Sequence, residues 1–373
     1  MFLANAGAVT VAAFGADIEK DMGVPHILLG VLQGAFFLGN VLGSLAFSRV
    51  VAWRGLKAAG VAAVVLLIFG NAFSTVVCFG PMLAGRMLLG VAVSGMVLFA
   101  SSLGIYAFPK KQNALLNLIH AFLAIASMTG LAVLGPLASA LGGWWRTSMA
   151  LAVACVGLLS VLVYQKADGV ETIEVRGSIE QGWWFDGKLL RWMFVLSAYI
   201  LAETALVLFV PVLAQNRGGL DMATAARLAA WFIVGIVAGR LLAPWLVPEN
   251  AGRKLMSFLV LTGGAFLILA LTLPSQAPAK VCLIVGGMLA GPVAPLAVSQ
   301  AVKHVGHSRN AVLSCMNLLS CAGGMVGALA AGWMGDRMGL QAALILCVLV
   351  FLIGGLIVPF RETPEEGSCR HEG

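Results

Sequence analysis

The stretch YILAETALVLF, residues 199–209, places one carboxylate in an otherwise apolar run. Glu203 is its only acid, and apolar sequence continues on both sides from Trp192 to Ala214. A carboxylate at membrane depth is costly unless it is paired, hydrated or protonated. Because burial also favours the protonated form, we predict that Glu203 carries protons or binds a substrate. The alternative is a neutral Glu203 that is hydrogen-bonded within a helical bundle.

Other polar residues recur at spacings of three, four or seven, which place them on one face of a helix. They are Asn113, Asn117 and His120; Asn310, Ser314 and Asn317; and Gln33 and Asn40. We predict that they line a wet cavity, and that a histidine there titrates near neutral pH. The predicted substrate-binding residues are Gln33, Asn40, Asn117, His120, Tyr199, Glu203 and Asn317, and the predicted proton-coupling residues are Glu203 and His120. The alternative is that each amide, or a neutral His120, only joins one helix to another.

Two arginines also interrupt apolar runs. Arg86 opens RMLLGVAVSG, and Arg240 lies in GRLLAPW, toward one end of its run. We predict structural or gating roles for both, together with Gly43 and Gly239, which allow close helix packing. For Arg240 the alternative is an anchor whose charged end reaches the membrane surface. An ion pair between either arginine and Glu203 is a third interpretation, which sequence alone does not test.

The elements that must position these residues are membrane-spanning helices. Of the 373 residues, 60% are hydrophobic and 10% are charged, whereas a soluble domain has about 25% charged residues. Successive apolar runs are each long enough to cross a hydrocarbon core as a helix. The fold class is therefore an all-α polytopic membrane protein with twelve spans. Their predicted limits are 1–18, 26–48, 56–76, 79–106, 112–139, 146–164, 191–214, 222–246, 254–274, 279–302, 309–332 and 339–360.

Basic residues predict the orientation of these spans. With the N-terminus in the cytoplasm, 15 lysines and arginines fall on the cytoplasmic side and 6 on the other. We therefore expect both termini and the central loop to be cytoplasmic, in a cell membrane of bacterial inner-membrane type. The net charge of +7 is explained by this placement, and nucleic acid is not an expected partner.

The two halves of the chain resemble each other at an offset of 196–197 residues. AFFLGNVLGSL at 35–45 aligns with WFIVGIVAGRL at 231–241, and QNALLNLIHAF at 112–122 aligns with RNAVLSCMNLL at 309–319. The repeat predicts two six-helix bundles related by a pseudo-two-fold axis along the membrane normal. The predicted divisions are an N-terminal bundle at 1–164, a central loop at 165–190, a C-terminal bundle at 191–360 and a tail at 361–373.

Several classes of protein are excluded by missing motifs. The seven cysteines form no CxxC pair and no cluster with histidine, so a disulfide framework or a metal site is not expected. There is no Walker A sequence, no nucleophile with its base and no dinucleotide-binding context. The sequence thus predicts a non-enzyme without cofactors, driven by a proton gradient. Its expected partners are a small-molecule substrate, protons and the lipid bilayer, and we expect a monomer.

The chain resembles the major facilitator superfamily. AGRMLLGVAVSG at 84–95 is similar to its fourth-helix Arg-Gly motif, and GSLAFSRVVAWRGLK at 43–57 is similar to its loop motif, with Phe47 where an Asp is usual. Within it, LQGAFFLGNVLGSL at 32–45, YILAETALVLF and FIVGIVAGRLL at 232–242 resemble the fucose permease-like proton symporters. That resemblance implies a functional acid at Glu203. It also implies acids in the first and fourth helices, which this chain lacks near mid-depth.

Three functions fit these features. The first is a secondary active transporter that carries a small polar solute, sugar-like or another metabolite, by alternating access with proton coupling. The second is proton-coupled efflux of an amphipathic compound or metabolite, because GPLASALGG at 135–143 resembles an exporter motif. The third is a transporter-like scaffold or sensor that moves nothing.

Overall fold

The computed structural model describes residues 2–107, 112–164, 187–246, 253–304 and 309–358, and these ranges are almost entirely helical. The helices are α1 (Phe2–Ala8), α2 (Thr10–Met22), α3 (His26–Phe73), α4 (Phe79–Ala107), α5 (Gln112–Leu141), α6 (Trp144–Tyr164), α7 (Gly187–Gly218), α8 (Met222–Leu246), α9 (Arg253–Thr272), α10 (Gln276–Ala290), α11 (Val293–His304), α12 (Arg309–Met338) and α13 (Leu340–Ile357). Two surfaces are used below: the α2–α3 face, where Met22 is followed by His26, and the opposite α6–α7 face, at Tyr164 and Gly187.

The described residues are consistent with twelve membrane crossings. Ten helical segments are long and apolar enough to span a membrane. The first of them, His26–Phe73, is long enough for two crossings and consists of two helices joined at a kink at Gly55, where φ is +81°. The short helices α1 and α2 comprise 7 and 13 residues, which together match the length of one more crossing. The prediction of an all-α polytopic protein is therefore confirmed.

Several helix limits differ from the predicted ones, for local reasons. Gly55 is the one non-helical residue inside α3, so the predicted gap between spans two and three is absent. The first span breaks at Val9 and then continues to Met22, where Gly23 ends it in the left-handed conformation. The tenth span breaks between Ala290 and Val293. The seventh runs four residues beyond each predicted end, because its polar ends extend past the apolar core.

The internal repeat is visible in how closely helices pack. In the first half, a Cβ added to Gly39 would lie 2.1 Å from the carbonyl oxygen of Met87 on α4. In the second half, a Cβ added to Gly235 would lie 2.1 Å from the carbonyl oxygen of Ile284 on α10. The predicted structural glycines lie one turn further along at equivalent places, Gly43 against Val91 and Gly239 against Met288. The two halves thus repeat the same backbone-to-backbone contact.

The two halves meet where α3 packs against α12, α5 packs against α8, and α2 packs against α7. Gly30 of α3 approaches Ala328 of α12, and Gly135 of α5 approaches Ala223 of α8. Gly15 of α2 contacts Val212 of α7. Of the predicted central loop, 165–186 lies outside the described residues, as does the tail at 361–373.

Replacement of Gly39 by alanine tests the close contact. The added Cβ would lie 2.1 Å from the Met87 carbonyl oxygen, so the helices must separate. Overpacking of this kind costs about 1–3 kcal/mol, which lowers Tm by roughly 5 °C. Thermal unfolding of the purified protein in detergent measures it. Gly157→Ala is the control, since a Cβ there meets no atom within 4 Å. Equal Tm values for both variants would contradict the packing argument.

Candidate functional site

Glu203 lies near the middle of α7, 16 residues after Gly187 and 15 before Gly218. About 67% of the most apolar stretch of α7 is buried, the largest share among the ten candidate spans found in the described residues. The Glu203 side chain retains 23% exposure. A helix packed on most sides offers little surface to lipid, so this carboxylate is set inside the helical bundle.

Arg240, on α8, is the cation that pairs with Glu203 in the described part of the chain. Its Nη2 lies 3.9 Å from Glu203 Oε2 and donates a hydrogen bond to the Tyr199 hydroxyl at 3.3 Å. Its Nε donates to the carbonyl oxygen of Gly291 at 3.3 Å. The guanidinium is thus oriented toward α7 and the α10–α11 junction. The snorkelling interpretation does not describe this geometry, because both bonded nitrogens point into the bundle.

The Gly291 carbonyl accepts from Arg240 because of the local sequence, GPVAP at 291–295. In a continuous helix the carbonyl of residue 291 would accept from the backbone N–H of residue 295. Residue 295 is proline, which has no backbone N–H. The helix is interrupted at Gly291 and Pro292, and the first N–H to bond back is that of Leu296, to Pro292 O at 3.0 Å. The break therefore supplies the acceptor that positions Arg240.

Tyr199 lies one helical turn before Glu203 on the same face of α7. Its side chain is only 2% exposed, and its ring packs edge-on against Phe351 of α13, with centroids 5.8 Å apart. Only its hydroxyl, which accepts from Arg240, reaches the charge pair. Tyr199 therefore acts on the site by orienting Arg240.

The Glu203–Arg240 pair is incomplete as an interaction. The separation of 3.9 Å exceeds hydrogen-bonding distance. Glu203 Oε2 is buried and has no hydrogen-bond partner among the described residues. A buried acceptor without a partner carries an unrecovered desolvation cost. The pair is thus electrostatically complementary but loosely held, which is an arrangement suited to exchange of partners.

Arg86 performs a related task in the first half. It is completely buried, and its two terminal nitrogens donate to Gly7 O at 2.8 Å, Ala8 O at 2.7 Å, Gln33 Oε1 at 2.7 Å and Thr10 Oγ1 at 3.3 Å. The first two acceptors are carbonyls freed by the break at Val9. All four acceptors are neutral oxygens. Arg86 thus holds the interrupted first span and cannot be reached by a solute.

The other predicted site residues are placed differently. Gln33 accepts from Arg86, and Asn40 Oδ1 accepts from Ser94 Oγ of α4 at 2.7 Å. Both amides therefore tie helices together, while each keeps part of its surface exposed. Asn117 and His120 belong to α5, but their side chains fall outside what the structure describes. Their predicted roles remain predictions.

Asn317 of α12 lies on the helix face that turns toward the other half. Cys321 and Gly324, four and seven residues further, contact Asn40 and Phe37 of α3. Asn317 lies on the same side of helix α12, nearer to the α6–α7 face of the protein, and its side chain is exposed. The α3–α12 contacts named here involve residues from His26 to Asn40 of α3, and Asn317 lies beyond Cys321 on the same side of α12.

Asp336 was not expected from the sequence as a functional residue, yet it joins the halves at the α2–α3 face. Its two carboxylate oxygens accept from the backbone N–H groups of His26, at 2.8 Å, and Ile27, at 2.9 Å. An acid from α12 therefore caps the N-terminus of α3, where the helix dipole favours negative charge. Gly332 lies close to the same turn. The halves are thereby closed at this face.

One cavity lies far from the site, and no metal-binding cluster is found among the described residues. A cavity of about 360 Å³ at the α2–α3 face is lined by His26 and Arg217, among others. Arg217 is 14 residues from Glu203 along α7, which is roughly 21 Å. Within the described residues, no group of three His, Cys, Asp or Glu is placed to hold a metal ion.

The sequence matches the profile of the major facilitator superfamily over residues 1–328. The chain belongs to this superfamily. The two six-helix halves, the interrupted spans and the closure at one face agree with that assignment. The narrower resemblance to fucose permease-like symporters stays a resemblance. Comparison with curated proteins gives no match.

Solved structures with the same fold include transporters from bacteria and human. A bacterial homologue of the human lysosomal transporter Spinster, inward-facing and occupied, is 16% identical with a TM-score of 0.76, over 96% of this chain and 93% of its own. The human organic anion transporter MFSD10 is 14% identical with a TM-score of 0.66, over 96% and 97%. The nucleoside transporter NupG is 11% identical with a TM-score of 0.75, over 96% of each. As a member of this superfamily, the protein is a membrane transporter that works by alternating access.

Removal of the Asp336 cap should favour opening at the α2–α3 face. Loss of a cap costs about 1 kcal/mol, which is roughly a fivefold shift in population. The probe is a cysteine at Leu329, which packs on Gly34 of α3, in a chain with Cys78→Ser and Cys369→Ser. In Asp336→Ala, an impermeant maleimide applied from the α2–α3 face should label it roughly fivefold faster.

The matched control is Asp221→Ala. Asp221 also caps a helix near this face, since its Oδ2 accepts from the N–H of Thr224 at 3.2 Å, but both residues belong to the same half. Its loss should leave labelling unchanged. If both variants label alike, or if Asp336→Ala labels at the parental rate, Asp336 does not hold the halves together.

Proposed function

We propose that this protein is a secondary active transporter of a small polar solute, coupled to protons through Glu203. The observation that carries the proposal is the Glu203–Arg240 pair, a loosely held acid and base near mid-span of a well-buried helix. A charge at this depth is costly and is characteristic of substrate pathways and proton relays. Because α7 and α8 belong to one half, the pair moves as a unit when the halves rock.

Exposure of the pair supports access from an aqueous cleft. The side chains of Glu203 and Arg240 keep 23% and 22% exposure. Exposure of a charge pair to acyl chains is strongly unfavourable, so the exposed parts face water between the halves. The described contacts between α3 and α12 extend from the α2–α3 face to Asn40, near mid-span. Access to Glu203 from the α6–α7 face fits this arrangement.

The α6–α7 face is proposed to be cytoplasmic. The count of 15 basic residues against 6 favours this orientation. Both termini are then cytoplasmic, and the protein is a multi-pass protein of the cell membrane in an inward-facing state. The names of the structural neighbours refer to organic anions and to nucleosides, so the shared fold does not choose the solute. The choice must come from side chains at the site.

Glu203→Gln tests proton coupling. The amide keeps the size of the side chain but cannot take up or release a proton. In proteoliposomes, an imposed pH gradient should drive solute accumulation by the parental protein. In the variant, accumulation should fall to the level seen without a gradient, whereas gradient-free exchange of labelled solute should persist.

The control is Asp221→Asn, which removes an exposed acid outside the spans. It should accumulate solute like the parental protein. If Glu203→Gln still accumulates solute against its gradient, Glu203 is not the coupling residue. If the parental protein moves no solute in either assay, the chain is a transporter-like scaffold.

A further inference from the structure

We propose that the solute carries a carboxylate, and that this carboxylate binds Arg240 in exchange with Glu203. This inference rests on the proposed function and names its substrate class. The carboxylate of Glu203 already occupies the neighbourhood of Arg240, at 3.9 Å, without a hydrogen bond. A free carboxylate can approach closely enough to form one. The solute would therefore replace a weak partner with a stronger one.

Two hydrogen bonds already hold the Arg240 guanidinium in a fixed orientation. Gly291 O fixes its Nε, and the Tyr199 hydroxyl fixes its Nη2 from the side of α7. A guanidinium whose orientation is already held loses little freedom when an anion binds, and its planar fork matches a carboxylate. The 22% exposure of the side chain leaves an approach from the cleft. Arg86, by contrast, is completely buried, and all of its hydrogen bonds go to neutral oxygens.

The charges favour a monoanion. Arg240 carries one positive charge, which Glu203 balances in the resting site. A solute carboxylate would bring one negative charge, so protonation of Glu203 restores neutrality. A phosphate ester carries nearly two negative charges and would require a second cation. A cation would have to displace Arg240 from Glu203 and leave the guanidinium without a counter-charge.

This exchange links solute binding to proton binding. Once the solute replaces Glu203 at Arg240, the Glu203 carboxylate has lost its cation and gained an anionic neighbour. Both changes favour its protonated form. One proton would therefore enter with each carboxylate, and the loaded site would have the same net charge as the empty one. No bond is formed or broken other than that to the proton.

The first experiment uses pairs of compounds that differ only in charge. The purified full-length protein is melted at pH 6 in the presence of lactate or lactamide, benzoate or benzamide, and gluconate or glucose. Glucose 6-phosphate tests a phosphate ester. We expect at least one carboxylate to raise Tm and its neutral partner not to do so. Equal stabilisation by both members of a pair, stabilisation by the phosphate ester alone, or no stabilisation by any carboxylate would overturn the proposal.

The second experiment assigns the binding to Arg240. The dissociation constant of the stabilising carboxylate is measured by calorimetry at pH 6, 7 and 8. Arg240→Gln should weaken binding tenfold or more, since it removes a charged hydrogen-bond partner. Arg240→Lys keeps the charge but not the fork and should bind with an intermediate constant. Arg227→Gln, which removes an exposed arginine on the same helix, is the control and should bind like the parental protein.

The Glu203→Gln variant should change the dissociation constant in a way that a purely structural role of Glu203 would not. Without the competing carboxylate, binding should tighten by roughly fivefold. In the parental protein binding should tighten as pH falls from 8 to 6, by at most about tenfold per unit for one linked proton. In the variant this dependence should disappear. Weaker binding by Glu203→Gln, or an unchanged constant in Arg240→Gln, would overturn the exchange.

These equilibrium results are independent of the transport test. If Glu203→Gln binds the carboxylate tightly but still accumulates it under a pH gradient, the anion site stands and proton coupling through Glu203 fails. If Glu203→Gln loses coupled accumulation but Arg240→Gln binds as before, coupling stands and the anion site fails.

Discussion

The structure of this transporter depends on how charge is tolerated inside a membrane. Among the described residues, two arginines and one glutamate lie well inside the spans, and each guanidinium has hydrogen-bond partners where a helix is interrupted. Arg86 donates to the carbonyl oxygens left without helical partners by the break at Val9, and Arg240 donates to the Gly291 carbonyl oxygen, whose helical partner is missing because residue 295 is proline. A backbone carbonyl without an intrahelical partner and a buried cation would each be costly alone. Together they satisfy each other, and the protein keeps two positive charges within its spans.

This arrangement explains why the two halves differ although their packing repeats. The glycine contacts of α3 with α4 recur between α8 and α10. The charged residues do not recur: residues 6 and 7, which correspond to Glu203 at the offset of 196–197, are alanine and glycine, and residue 44, equivalent to Arg240, is serine. The first half has a fully buried arginine surrounded by neutral oxygens, and the second has a partly buried pair of opposite charges. The repeated scaffold is thus shared by both halves, whereas the Glu203–Arg240 pair belongs to the second half.

The fold could be predicted from the sequence because each span is a separate apolar run. Glu203 could be identified because an acid in such a run is rare. Its pairing with Arg240 could not be predicted, since the geometry depends on the break at Gly291 and on how α8 packs against α10. Pro292 and Pro295 within an apolar run were the available signal for that break. The cap by Asp336 could not be predicted either, because its partners are about 310 positions away in the other half.

The central claim is that Glu203 changes its protonation state when a solute takes its place at Arg240. Infrared difference spectroscopy observes this directly, since a protonated carboxyl group absorbs differently from a carboxylate. Spectra of the protein at constant pH are compared before and after addition of the bound carboxylate compound, in parental and Glu203→Gln protein. If this claim is correct, addition creates a protonated-carboxyl band in the parental protein and none in the variant. An identical difference spectrum in both proteins would contradict it.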